Sequence, residues 1–308
     1  MAVETTPTLP DPQQLIPSEH LKQLNVRSNS AGIRQLLGHL AVMAVSGSLW
    51  VTQKGVNGWI ALPALVVYGA SLATMFAALH ECVHRTAFAS PKLNDGVAWV
   101  AGLLSFYNST FYRRYHKWHH RYTQIPGKDP ELEDPKPQSW PEYLLELSGL
   151  TWWIGKVKTY IRIAAGQLQG YPYIPESACQ EVIRSVRLQL GVYGLGILLS
   201  LLLGDPWIVW LWLLPLAVGQ PILRFILLAE HTGCSQTEDP FSNTRTTLTL
   251  WPIRFLMWNM PYHAEHHLYP SIPFHALPDA HHYLKPHLAH LGQGYVRVHR
   301  QVVEQFQA

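Results

Sequence analysis

Four stretches of this chain stay apolar for close to the thickness of a bilayer, and they constrain the fold more than any other feature. A helix needs about 20 consecutive apolar residues to cross a membrane. Residues 59–79, "WIALPALVVYGASLATMFAAL", and 207–229, "WIVWLWLLPLAVGQPILRFILLA", meet that length, and residues 36–51 and 190–203 approach it. Charged residues make up 14% of the 308-residue chain, against roughly 25% in an ordinary soluble domain. The expected fold is therefore an all-α integral membrane protein. Its four transmembrane helices would form two hairpins, and a cytosolic helical cap would carry the remaining sequence. Turns at Lys54–Gly58 and Gly204–Pro206, each with Trp at its flank, close the hairpins.

The remaining segments fit around this frame. Residues 1–30 are polar and proline-containing and read as a mobile cytosolic arm, with residues 31–308 as one membrane domain. Residues 97–107 and 147–154 are apolar but too short to span, so they are expected at the interface. Lys54 is the only Lys or Arg in a short loop on the far side, and Arg224 lies inside the fourth span with Glu230 as a candidate partner. The others gather on the side of both termini, which the positive-inside rule makes cytoplasmic. A net charge of +3 gives no sign of nucleic-acid binding. Cys82, Cys179 and Cys234 have no paired spacing, which excludes a disulfide framework and a cysteine zinc cluster.

Nine histidines fall at or just beyond one membrane boundary. His80 and His84 end the second span and His231 ends the fourth. His116, His119 and His120 lie between the hairpins, and His263, His266 and His267 follow the last span. Spacings of three and four put each set on one helical face. "HECVH" also matches the zinc-protease signature, in which Glu81 would activate water. That reading leaves most of the other histidines without a role. Nine imidazoles exceed the four ligands of a zinc site and suit two ions with open positions. Imidazole alone does not choose among iron, zinc, copper and nickel. A metal transporter would place ligands within the membrane or on both faces, and a haem carrier would use facing histidines within the bundle.

"HECVH", "HKWHH" and "HAEHH" resemble the three histidine boxes of the membrane fatty acid desaturases, in order, spacing and topology, over a region from about Trp59 to Pro278. His231 in "LLAEHTG" matches the family's additional histidine. The resemblance implies two non-haem irons (Fe2+/Fe3+) held by His80, His84, His116, His119, His120, His231, His263, His266 and His267. It implies O2 as co-substrate, a lipid or acyl-chain substrate and a double bond as product. Carotenoid hydroxylases and ketolases share the boxes and give the alternative outcome. No HPGG haem motif occurs, so electrons are expected from a separate ferredoxin or cytochrome b5. Arg113, Arg114, Lys117 and Arg121 would dock that donor or hold anionic lipid. Glu81, Asn259, Glu230, Glu265 and Asp129 are candidates to support the ligands from behind. Trp118 and Tyr262 beside the boxes, and the small residues Gly69, Ala70, Ser71 and Ala73 of the second span, are candidates to line the path of a lipid chain.

Overall fold

The computed structural model describes residues 14–307. Its helices in chain order are α1 Ser18–Leu24, α2 Asn29–Gln53, α3 Gly58–His84, α4 Pro91–Ser105, α5 Ser109–Tyr122, α6 Trp140–Ser148, α7 Leu150–Ala164, α8 Cys179–Leu202, α9 Leu214–His231, α10 Trp251–Leu256, α11 His263–Leu268, α12 Leu277–Leu284 and α13 Tyr295–Glu304. A two-stranded parallel ribbon, β1 Thr246–Leu248 with β2 Leu291–Gln293, is the departure from an all-helical chain.

Four helical segments are long and apolar enough to cross a membrane: Asn29–Gln53, Gly58–His84, Glu176–Leu202 and Val209–His231. Each runs past its expected apolar stretch at one end at least, because the lipid-facing run marks only part of each helix. Local chemistry sets the ends. Ser28 caps α2 by accepting from the Ala31 amide, and Asn57 caps α3 by accepting from Trp59. Arg85, at φ 60°, stops α3 just after His84.

α3 is the central helix and packs on α2, α4 and α9. Gly69 of α3 meets Gly219 of α9 backbone to backbone, and a Cβ at either position would collide with the other helix. Small residues permit such close approach between membrane helices. Gly69 therefore serves helix packing, and a lipid path is not its role. Ser71 and Ala73 are fully buried, and the Ser71 carbonyl faces His39 Nε2 at 2.8 Å. None of Gly69, Ala70, Ser71 and Ala73 lines the cavity beside the histidines.

Before α9, Val209–Leu213 is wound as a π-helix. The indole of Trp50 donates to the Trp210 carbonyl at 2.9 Å, and the Tyr68 hydroxyl donates to Leu211 at 2.7 Å. Carbonyls loosened by the wider turn thus find partners inside the apolar layer, where water cannot serve.

The expected mobile arm over 1–30 needs dividing. Residues 1–13 lie outside the described residues. Residues 14–30 form α1, the link after it and the start of α2. Ile16 is buried beside Tyr262 and Ile272, with Leu21 and Leu24 packed nearby. Ile16 and the leucines of this segment supply an apolar face that settles on α12. Arg224 does not pair with Glu230; it donates to the Tyr107 hydroxyl instead.

Candidate metal centre

Four elements deliver the nine imidazoles. α3 carries His80 and His84 on its last turn, and α9 ends on His231. α5 carries the second set and is anchored at its start. Asn108 accepts from the Phe111 amide at 2.9 Å and gives its own amide to Gln189 of α8. α11 carries the third set.

The structure gathers the side chains into two groups. His80, His84, His116, His120 and His266 bring one ligand nitrogen each within 4.8 Å of one another, and His119, His231 and His267 do the same separately. His263 adjoins the second group, its Nε2 3.2 Å from Nε2 of both His231 and His267. In the first group Nε2 of His120 lies 3.0 Å from that of His116 and 3.1 Å from that of His266.

Neither H-x-x-H-H set therefore gathers in one group. Residues on a helix are about 100° apart, so positions i and i+4 nearly coincide while i+3 points elsewhere. On α5 the i, i+4 pair His116/His120 joins the first group and His119 crosses to the second. On α11 the pair His263/His267 sits with the second and His266 crosses to the first.

The donors suit a metal. His231 Nδ1 faces the Asn243 carbonyl at 3.0 Å, which only accepts, so Nδ1 carries the proton and Nε2 turns a lone pair inward. His119 Nδ1 faces Asp129 at 2.9 Å with the same consequence. Lone pairs turned on one another about 3 Å apart repel unless a cation lies between them. Metal–nitrogen bonds of about 2.1 Å place neighbouring octahedral ligands about 3 Å apart. Burial first, and then the neighbouring imidazoles, push His116, His120, His263, His266 and His267 well below the usual histidine range. They are neutral, the form that ligates. His119 is raised instead: burial opposes its charge, but Glu131 and Asp129 outweigh it.

The supporting residues divide as follows. Asp129 is buried, holds His119, and is itself fixed by the amides of Gln124 and Glu131 at 2.7 and 3.0 Å. Glu81 accepts from the Thr86 hydroxyl at 2.9 Å, and its other oxygen is 3.4 Å from His80 Nδ1. Glu230 lies 3.5 Å from His263 Nε2, on the inner side of that ring and not behind it. Glu265 contacts no imidazole of the centre; it accepts from Thr246 and pairs with His281, which ties α11 to β1 and α12. Asn259 is also turned away, in a left-handed conformation with its amide on the Phe274 carbonyl at 3.1 Å. Trp118 donates to the Lys128 carbonyl, and the Tyr262 hydroxyl accepts from Arg254.

Three partners escaped sequence reasoning. Thr123 Oγ1 is 3.1 Å from His267 Nδ1, the Asn243 carbonyl holds His231, and the Tyr112 hydroxyl lies 3.3 Å from His116 Nδ1. Only Tyr112 had a signal, its spacing of four from His116. α2 supplies no imidazole to either group, yet its His39 accepts from the Trp258 indole at 3.2 Å, and Gln35 donates to the Phe255 carbonyl at 2.5 Å. The first span thus clamps the turn that leads into α11.

A cavity of about 490 Å³ opens from His80, His116, His119 and His263 between α5, α7 and α9, with Phe76, Tyr107 and Trp152 among its walls. Outside it, Arg113 pairs with Asp95 and Arg114 with Glu181, which leaves Lys117 and Arg121 of the expected docking patch without an ion pair among the described residues.

Four helices long and apolar enough to cross a membrane, and a histidine cluster that could hold metal, define the architecture of a membrane protein with a candidate metal site. Comparison with known families makes this particular: residues 57–299 match the fatty acid desaturase model, and the chain belongs to that family. It is 24% identical over 240 residues to an sn-1 oleoyl-lipid 12-desaturase of Arthrospira platensis, covering 71% of this chain and 67% of the relative. It is 28% identical over 225 residues to a sphingolipid delta(4)-desaturase of Xenopus tropicalis, covering 71% and 64%. A Delta(5) fatty acid desaturase of Caenorhabditis elegans is 23% identical over 254 residues, covering 70% and 55%. A shorter match, to an sn-1 oleoyl-lipid 12-desaturase of Picosynechococcus, covers 30% of that protein, so the chain spans 30% to 67% of the length of these curated relatives.

Proposed function

We propose that this protein is a membrane-bound desaturase that introduces a double bond into the acyl chain of a lipid. Two hydrogens leave adjacent carbons, and O2 with two electrons and two protons ends as two waters. Bound at the centre, a pair of non-haem irons would supply the O2-dependent oxidation of an unactivated C–H bond. His80, His84, His116, His120 and His266 would hold one ion, and His119, His231, His263 and His267 the other. The observation that carries this assignment is the convergence of nine inward-turned imidazoles, six buried and three half-buried, in two adjoining groups beside one aromatic-walled cavity.

The other residues prepare the site. Asp129, the Asn243 carbonyl and Thr123 fix three rings from behind, as ligand imidazoles require. Phe76 and Tyr112 wall the cavity next to the imidazoles and keep water from the reacting carbons. Whether a second hydrogen is removed or oxygen is inserted depends on where those carbons are held, since small displacements alter the rate greatly. The side bearing the histidines faces the cytoplasm, and a separate ferredoxin or cytochrome b5 delivers electrons. The relatives' names, which specify oleoyl-lipid, sphingolipid and fatty acid desaturases, support an acyl substrate.

Expression in a host with a simple fatty acid profile, followed by mass spectrometry of lipids and pigments, tests this. New acyl species 2 Da lighter are expected, and they should vanish in a His119→Ala variant. Oxygenated carotenoids with unchanged acyl chains would overturn the assignment in favour of the hydroxylase or ketolase outcome.

A further inference from the structure

One cluster in the cavity takes no part in holding metal. Tyr107 accepts two hydrogen bonds at its hydroxyl oxygen, from Arg224 of α9 at 2.9 Å and from the Trp152 indole of α7 at 3.1 Å. Lys156, one turn beyond Trp152, sets its ammonium 4.2 Å from the Tyr107 ring centre, and the Arg224 guanidinium lies 5.5 Å from the Trp152 ring. A phenol that accepts twice still has a proton to donate. Among the described residues no acceptor meets that proton or the Lys156 ammonium, and Arg224 Nε is buried without a partner. Glu131, Glu133, Asp134, Glu146 and Glu230 line the same cavity, but among the described residues no ion pair within 4 Å joins any of them to either cation.

Two like charges in one half-buried wall are unfavourable without a counter-ion. Burial, and then Arg224, push the Lys156 ammonium down to about 7. The wall presents a surplus of donors of three kinds, and their common complement is an oxyanion.

The route from this cluster to the histidines is aromatic. Tyr107 packs on Phe76 at 4.6 Å, and Phe76 lies 6.2 Å from His80. On the outer side of α7, Leu150, Ile154, Val157 and Ile161 are exposed at spacings of four, three and four, a single apolar stripe. Such a helix lies on a lipid surface with its polar face inward. An amphiphile entering beneath α7 meets the donors with its head and the aromatic wall with its chain.

We propose that Arg224, Lys156 and Tyr107 form a receptor for the anionic head, a carboxylate or phosphate oxygen, of the amphiphile whose chain reaches the histidine centre. This assignment rests on the desaturase reading of the same cavity and specifies the chemistry of the substrate head.

The test is equilibrium binding to the full metal-loaded chain in uncharged detergent, without electron donor. The probes are stearate, methyl stearate and a phosphatidic acid. Stearate or phosphatidic acid should bind about tenfold or more tighter than the ester, as expected when a charge-assisted hydrogen bond is lost. A preference for stearate identifies a free carboxylate head, and one for phosphatidic acid identifies a lipid phosphate. Lys156→Gln and Arg224→Gln should each remove most of the preference for the acid over the ester while iron content stays unchanged. Lys156 is only partly buried, so its variant keeps the test open should Arg224→Gln fail to fold. Equal binding of acid and ester by the wild type, or an undiminished preference in a folded Lys156→Gln variant, would overturn the receptor. Because no turnover is involved, a binding preference without any double-bond product would count against the desaturase assignment alone.

Discussion

In one half of the histidine centre five imidazoles converge, and in the other three do so with His263 alongside. The halves differ more in what stands behind the rings than in number. In the smaller half the outer nitrogens of His119, His231 and His267 meet Asp129, the Asn243 carbonyl and Thr123 at 2.9–3.1 Å. In the larger half His116 Nδ1 has the Tyr112 hydroxyl at 3.3 Å and His80 Nδ1 only Glu81 at 3.4 Å, while the outer nitrogens of His120 and His266, like that of His263 in the smaller half, are buried without partners. One half would hold its ion by ligand number and the rigidity of α3 and α5; the other would hold it by orienting fewer rings, one of them against a carboxylate. Metal affinity can be raised either way.

The largest effect is expected from His119→Ala. It removes one ligand from the smaller half and strands the buried Asp129 carboxylate. Desaturation should fall at least about a hundredfold, with one iron lost and the chain still in the membrane. His84→Ala, in the larger half, leaves four imidazoles and should retain more iron. Equal metal loss in the two variants, read by elemental analysis, would break the contrast.

Asp129→Asn comes next. It keeps a hydrogen-bonding group but removes the charge behind His119, and the smaller half should bind its ion about 10–100-fold more weakly while the larger half is unaffected. The matching change across the divide, Glu81→Gln, should cost about tenfold at most, because Glu81 is anchored chiefly to Thr86. A loss near that of His119→Ala would instead give Glu81 the water-activating role that the HExxH spacing first suggested.

Much of this was readable from residues 36–51, 59–79, 190–203 and 207–229, since an apolar run of that length has few other uses. The histidine spacings likewise announced paired ligands. The division of each H-x-x-H-H set between the two groups was less evident. It depends on the 100° step between His119 and His120 and on where α11 lies relative to α5, and only the first of these is local. Backbone acceptors such as the Asn243 carbonyl leave no mark on sequence. Glu265 and Asn259 drew attention by their distance along the chain from histidines. Each is instead held by non-local partners, His281 with Thr246 and the Phe274 carbonyl. The short segment at Ile16 looked polar because its few apolar residues find their partners far away, on α12.

The smallest change should come from His39→Leu, which acts on both halves alike. It leaves the buried Trp258 indole without an acceptor at the turn before α11. A loss of about 1–3 kcal/mol in stability is expected, measured by thermal unfolding in detergent. Because α11 serves both groups, iron should be lost from the two halves in similar proportion. Loss confined to one half would mean that the clamp acts on one imidazole and not on α11 as a body.

Two unlike metal positions are proposed to share the nine histidines. Anaerobic titration of the metal-free protein with Fe(II), followed by Mössbauer spectroscopy, tests it most directly. Two ions per chain with two distinct quadrupole doublets are expected in the wild type. The Asp129→Asn protein should keep one doublet unchanged while the other fills only at higher iron. A single ion per chain, or two doublets that weaken together in Asp129→Asn, would contradict it.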